Sequence, residues 1–171
     1  MRATVASAIM VISMHSRFER LLWLMPVAYA IHIGDEWFSG FPRYVVDHMG
    51  GHPMPPALFF ANNACFMLVL LALCTWASRS TSRLSAFLLM SWASGNLFWN
   101  FVAHLFYTVH TGAYSPGLVT SSLFYYPVSL LVVAASVRDK RMSVTGALGA
   151  FAIGGALLVL VIWGGVYHFA T

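Results

Sequence analysis

The segment Tyr29-Ala30-Ile31-His32-Ile33-Gly34-Asp35-Glu36-Trp37 sets one imidazole and two carboxylates inside an otherwise apolar stretch. On an α-helix, positions three and four apart lie one turn away on the same face, which puts His32, Asp35 and Glu36 within an arc of roughly 100°. Side chains of this kind ligate a cation or exchange a proton. Their cost argues for a role, because a carboxylate at the centre of a membrane helix opposes insertion by about 2.5–3.5 kcal/mol. Two adjacent ones need partners.

Partners of the right type occur further along. Asn96, Asn100 and His104 are spaced four apart and share one helix face, and Asn62 and Asn63 stand near the start of another apolar run. The intervening segments add His48, His52, His110 and Tyr114, and Tyr125 and Tyr126 follow. Imidazole nitrogens and carboxylate oxygens suit zinc, iron or manganese, with about three protein ligands and an open position for water or substrate in a catalytic site. His32, Glu36 and His104 would make such a set, with Asp35 as a further ligand or as an acceptor behind them. Two carboxylates are few for a di-iron centre, which draws on about four Glu and two His, so a single metal is expected. Without metal, one neutral and one ionised acid side by side, Asp35 and Glu36, support proton transfer, with Asn100 and Tyr114 as further candidate catalytic groups. A hydrogen-bonded core that merely fixes helix packing is the plain alternative.

The elements holding these groups must be membrane helices. The chain has 171 residues, 60% hydrophobic and 8% charged, with a mean hydropathy of +0.77, whereas a soluble domain carries about 25% charged residues. Its pI near 9.4 is read as topology signal and lipid-headgroup contact, and nucleic-acid binding is not expected. Cys65 and Cys74, nine residues apart on one predicted helix, lie about 13 Å apart along its axis and cannot pair.

Five apolar runs predict an all-α polytopic bundle of five transmembrane helices: Leu21 to Gly40, Pro56 to Ala77, Leu84 to Tyr107, Leu118 to Val137 and Val144 to Phe169. Residues 1–20 read as a loose or interfacial tail, with Met14 a second plausible start, and residues 21–171 as a single membrane domain. Arg17 and Arg20, then Arg79 and Arg83, then Arg138, Lys140 and Arg141 fall on one side of the bilayer, so the N-terminus is expected in the cytoplasm and the C-terminus outside. On that topology the histidines, acids and asparagines meet in the outer half of the membrane. Gly146, Ala150 and Gly154 at four-residue spacing predict a close helix approach by the fifth span, and His168 is expected at its outer interface. In Tyr114-Ser115-Pro116-Gly117, proline followed by glycine predicts a turn with positive φ at the glycine. That turn could carry the Tyr114 hydroxyl over the pocket.

Taken in order, His32-x-x-Asp35-Glu36, the later isolated His104, and Tyr114-x-Pro116-Gly117 resemble the HXXEE-domain family of small bacterial integral membrane proteins. The first motif departs from the family pattern by one residue, Asp35 standing where the family has glutamate. The resemblance covers roughly Met25 to Tyr167 and implies that these motif residues form the site, in a protein of the bacterial inner membrane. More loosely, five membrane helices with a histidine, acids, asparagines and tryptophans around a pocket look like the sterol-isomerase type of enzyme, an analogy of site only.

The function expected is that of a small membrane enzyme acting on a lipophilic small molecule, metal-dependent or by acid/base proton transfer, isomerase- or cyclase-like. Trp37, Trp92, Phe98 and Trp99 are candidate apolar walls. An ion or proton transporter is the rival reading, since intramembrane ionisable groups also mark ion pathways. An assembly subunit, resting on the glycine-rich fifth span, is the third.

Overall fold

A computed structural model describes residues 16–165, and every regular element among them is helical. Ser16 caps the first described helix reciprocally: its hydroxyl accepts the Glu19 amide at 3.2 Å and the Glu19 carboxylate accepts the Ser16 amide at 3.0 Å. Helix α1 (Arg17–Leu21) follows and gives way after one turn to α2 (Leu24–Phe38). Pro26 falls in the first turn of α2, where a missing N–H costs nothing.

The structure places a helix where the sequence suggested only a loop. Gly40, at φ 83°, ends the exit from α2, and α3 (Phe41–Met49) starts with Pro42 in its first turn and closes on Gly50 at φ 69°. Two glycines in the left-handed conformation thus bracket a short amphipathic helix.

Helix α4 (Pro56–Arg79) is a single long rod. The next rod begins as α5 (Arg83–Ala93), passes through a π-helical stretch Ser94–Trp99, and continues as α6 (Asn100–Thr111). After the Pro116-Gly117 turn come α7 (Leu118–Thr120), a second π-helical stretch Ser121–Tyr125, and α8 (Tyr126–Arg138). Helix α9 (Val144–Leu160), capped by the Ser143 hydroxyl on the Gly146 amide at 3.0 Å, completes the bundle with a π-helical end at Val161–Gly165.

Among the described residues, three helical runs are long and apolar enough to cross a membrane: Pro56–Arg79, Leu118–Arg138 and Val144–Trp163. They correspond to the second, fourth and fifth of the expected spans. Helix α2 has 15 residues, short of the roughly 20 that a bilayer needs, and the α5–α6 rod carries Asn96, Asn100, His104 and several serines that dilute its hydropathy. Residues 1–15 of the predicted tail, the last residues of the fifth run and His168 lie outside the described residues.

Small residues let α9 lie against α5 and its π-helical continuation. A methyl group on Gly154 would stand 2.6 Å from the Gly95 amide nitrogen, one on Gly95 would stand 2.7 Å from the Gly154 carbonyl oxygen, and Ser94 donates to the Ala150 carbonyl at 3.2 Å. The backbones touch there.

At the end of the bundle remote from the α7 turn, Arg141 ties three segments together. Its guanidinium meets the Glu19 carboxylate at 2.7 Å, donates to the carbonyls of Ala77 (2.7 Å) and Ser80, and lies over the Phe18 ring. Beside it the Phe18 amide donates to Asp139 at 2.7 Å. Arg141 is 6% exposed, so a residue read as a topology signal is also a structural bolt.

Candidate functional site

Two helices bring three ligand-type side chains to one point. His32 and Glu36, one turn apart on α2, and His104 on α6 share the Glu36 Oε1 atom: it lies 3.3 Å from His32 Nε2 and 3.2 Å from His104 Nε2. One nitrogen or oxygen from each residue falls within 4.8 Å of the others. All three are buried, at 0%, 4% and 3% exposure, and the two imidazoles meet edge to face with centroids 5.0 Å apart.

The opposite ring nitrogens are fixed by hydroxyls from the start of the α7 segment. Thr120 Oγ1 lies 3.0 Å from His32 Nδ1 and 2.7 Å from Asp35 Oδ2. A hydroxyl has one proton, and an ionised carboxylate can only accept it, so Thr120 donates to Asp35 and accepts from His32 Nδ1–H. That chain puts a proton on His32 Nδ1 and turns Nε2 toward Glu36 Oε1, 3.3 Å away. His104 Nδ1 meets Ser115 Oγ at 2.9 Å, and the Ser115 amide is held by Thr108 Oγ1 at 3.0 Å.

Gly117 closes the other side. Its φ of 97° is a conformation L side chains rarely adopt, and a methyl group built on it would stand 2.7 Å from His32 Cε1 and 3.0 Å from both Glu36 Cγ and His104 Cε1. The expected turn is present, with the Leu118 amide donating to the Ser115 carbonyl at 3.1 Å. Its glycine is there for space as much as for φ.

Glu36 and His104 face a cavity that is partly open to the outside. Aromatic and aliphatic walls dominate, including Phe66, Trp92, Leu157 and Leu158, with Asn63, Asn96 and Asn100 placed among them. Tyr29 donates to Asn63 Oδ1 at 2.8 Å, whereas Asn100 Oδ1 is buried with no hydrogen-bond partner.

The sequence-derived candidates therefore separate. His32, Glu36 and His104 come together, and Asn100 lines the adjoining cavity. Asp35 is turned away from the ligand atoms and accepts from Thr120 and from Ser39 at 2.8 Å, which makes it the acceptor behind His32 rather than a member of the converging set. Tyr114 is 51% exposed, and its hydroxyl accepts the Val119 amide at 3.4 Å instead of entering the cavity. His48 packs on Tyr44 and His110 on Phe106, and His52 is exposed. Of the proposed walls, Trp92 lines the cavity, Trp37 packs on Phe59 and Phe60, and Phe98 and Trp99 pack on each other.

Four participants were not singled out for these roles. Thr120 and Ser115 supply the hydroxyls, Gly117 the close approach, and Tyr125 lays its ring 4.2 Å from that of His32. The Pro-Gly turn was the one available signal, and it marked the segment that carries all but Tyr125.

A family model described as "Protein of unknown function with HXXEE motif" matches residues 23–132, a range that includes His32, Asp35, Glu36, His104 and the whole Tyr114–Gly117 turn. No curated protein and no solved structure matches the chain.

Proposed function

This chain belongs to the HXXEE-motif family, and from that membership and the site geometry we propose that it is a small membrane enzyme that holds a divalent transition metal on His32, Glu36 and His104 and acts on a lipophilic small molecule. One observation carries the reading: three buried ligand-type groups meet, with Glu36 Oε1 3.3 Å from His32 Nε2 and 3.2 Å from His104 Nε2. In the neutral tautomer favoured by the Thr120–Asp35 pair, the lone pair on His32 Nε2 and the Glu36 carboxylate repel unless a cation, a metal ion or a proton, stands between them. Metal-ligating histidines are held in this way, the second ring N–H spent on an oxygen acceptor behind.

Zinc, iron or manganese fits a set of two imidazoles and a carboxylate. Such an ion supplies Lewis acidity and an acidified water. The chain's own residues orient the ligands, exclude solvent through Gly117 and Tyr125, and offer a largely apolar cavity to the substrate. The same constellation serves the second reading, acid/base transfer in an isomerase- or cyclase-like reaction, with protons shared among the three groups in place of a metal.

A lipid-facing route supports a membrane-soluble substrate. An apolar groove lined by Trp99, Val102, Phe106 and Val159 shares Ala103, Tyr107, Leu158 and Ile162 with the cavity wall, which supports sideways entry between α6 and α9. In the proposed topology the α1–α2 segment and the α5–α6 rod also cross the membrane, making five spans with the N-terminus in the cytoplasm of a bacterial inner membrane and the site in the outer half. A C-terminal reporter that reads cytoplasmic would refute that orientation.

Elemental analysis of protein purified without added metal tests the centre. Stoichiometric metal in the wild type, lost in Glu36→Ala and in His104→Ala, is expected. A metal-free wild type that remains active would leave proton chemistry as the mechanism.

A further inference from the structure

The residues lining the cavity follow one another along the bundle. On the α5–α6 rod they run from Trp92 through Asn96, Asn100 and His104 to Tyr107, a length of about 20 Å. Contacts between the helices rise in the same order: Trp92 meets Phe66 with ring centroids 5.5 Å apart, Tyr29 donates to Asn63 at 2.8 Å, and Glu36 meets His104 at 3.2 Å. The cavity is therefore a slot parallel to the helices. Its floor is the Phe66–Trp92 pair, fixed by the Trp92 indole on the Phe66 carbonyl at 3.3 Å. Glu36, the charged side chain among its described lining residues, stands at the opposite end.

The amides between those ends are turned largely to the protein. Asn63 accepts from Tyr29 and donates to the Phe59 carbonyl, Asn96 donates to the Trp92 carbonyl, and Asn100 Oδ1 is shielded from the cavity. Phe66, Trp92, Leu157 and Leu158 supply hydrocarbon walls. A guest that fills the slot carries its polar group at the Glu36 end and hydrocarbon below it.

The way in constrains the shape of that guest. The lipid-facing groove meets the slot at Ala103, Tyr107, Leu158 and Ile162. Lower down, Gly95 and Gly154 hold the two rods in backbone contact and close that side. A molecule arriving sideways must bend to reach the floor. A chain of freely rotating bonds can do so, and a rigid fused-ring plate of the same length cannot. The length also fits, since one leaflet of a roughly 30 Å hydrocarbon core is about 15 Å deep and an acyl-length chain with its head spans the slot. In the proposed topology the Glu36 end lies outward, so a lipid of the outer leaflet enters in its own orientation.

We infer that the substrate is a lipid with one flexible hydrocarbon chain, the chain running down the slot to the Phe66–Trp92 floor and the functional group held at Glu36 and His104. This rests on the reading of the cavity as the substrate site. It does not require that the three-residue centre hold a metal.

Two photoreactive forms of hexadecanol test it, one with a diazirine at the chain end and one with the diazirine beside the hydroxyl. Each is incorporated into phosphatidylethanolamine–phosphatidylglycerol vesicles containing the full-length protein, and adducts are mapped by mass spectrometry after illumination. The chain-end probe is expected on Phe66 or Trp92, and the hydroxyl-end probe on Ala103, Tyr107 or Ser115. Excess unlabelled hexadecanol should suppress both sets, and cholesterol at the same mole fraction should suppress neither. Leu157→Trp fills the slot above its floor and should abolish the chain-end adducts on Phe66 and Trp92, with unchanged melting temperature showing that the fold survives.

Identical adducts from the two probes, chain-end adducts confined to exposed residues such as Phe60 and Leu68, suppression by cholesterol as complete as by hexadecanol, or floor labelling that persists in Leu157→Trp would each overturn the inference. The metal assignment fails separately. Ordered labelling in a protein that holds no metal leaves the single-chain substrate standing, and stoichiometric metal without ordered labelling removes the substrate class alone.

Discussion

Gly117 lies directly against His32, so close that a methyl group in place of its hydrogen would stand 2.7 Å from the imidazole Cε1. The same position requires φ 97°. Gly117→Ala must therefore absorb about 1–2 kcal/mol of left-handed backbone strain and push His32, Glu36 or His104 out of place. A fall in metal affinity of roughly 10–100-fold is expected, measured by competition with a chromogenic chelator, in a protein that still inserts and purifies. Wild-type affinity in Gly117→Ala would show that the glycine does not shape the centre.

The two adjacent acids should behave differently. Glu36→Gln removes the oxygen that both imidazoles face and should abolish stoichiometric metal. Asp35→Asn leaves the converging set intact and removes only the acceptor behind Thr120, so a reduction of about 10–100-fold in affinity is expected, not loss. Inductively coupled plasma analysis of the two variants side by side distinguishes the roles. Equal loss in both would return Asp35 to the ligand set.

Thr120 is the hinge of that distinction. Thr120→Val keeps the shape but strips the hydroxyl that holds His32 in its tautomer, and should weaken metal binding by roughly tenfold or more. Thr120→Ser should restore it. ¹⁵N chemical shifts of His32 give the tautomer directly. A valine variant whose His32 still carries its proton on Nδ1 would dismiss the relay.

At the other end of the molecule, Arg141→Met leaves the Glu19 carboxylate without its partner and the Ala77 and Ser80 carbonyls without their donor. Breaking a buried pair from one side costs about 3–5 kcal/mol. Thermal unfolding in detergent should show that loss. Metal stoichiometry measured well below the unfolding transition should remain at the wild-type level.

Much of the site was legible because its residues are expensive. A histidine and a glutamate one turn apart in an apolar run, and one later histidine on a face with two asparagines, have few reasons to exist in a bilayer other than each other. Helical spacing alone could not separate Asp35 from Glu36, since positions three and four ahead of His32 both lie beside it. That choice is made by Thr120, 85 residues away. Serine and threonine on membrane helices ordinarily bond back to their own turn, as Ser91 does to Phe87 and Thr75 to Leu71, so nothing in their identity separated Thr120 or Ser115 from the rest.

The fold was readable in kind and less so in detail. The apolar runs announced an all-helical membrane chain, but α3 was hidden because its nine residues mix Arg43, Asp47 and His48 with Phe41 and Val45, and only Gly40 and Gly50 mark its ends. The Arg141 bolt joins residues 122 positions apart to Glu19, a pairing no local pattern encodes. Arg141 resembled its neighbours Arg138 and Lys140 until the carbonyls of the α4 terminus closed around it.

The polar bonds at the two ends of the molecule have a mechanical consequence. Phe18 to Asp139 and Thr120 to Asp35 clasp the same two rods, α1–α2 and α7–α8, near opposite tips. An antiparallel pair pinned at both tips cannot slide by a residue without breaking one clasp, so the height of Glu36 relative to Gly117 is set to within roughly one 1.5 Å step. A bilayer thicker or thinner than these helices must then be met by tilting the pair as a unit or by deforming the lipid. The placement of His32 and Glu36 against Gly117 should hold when the host membrane changes thickness.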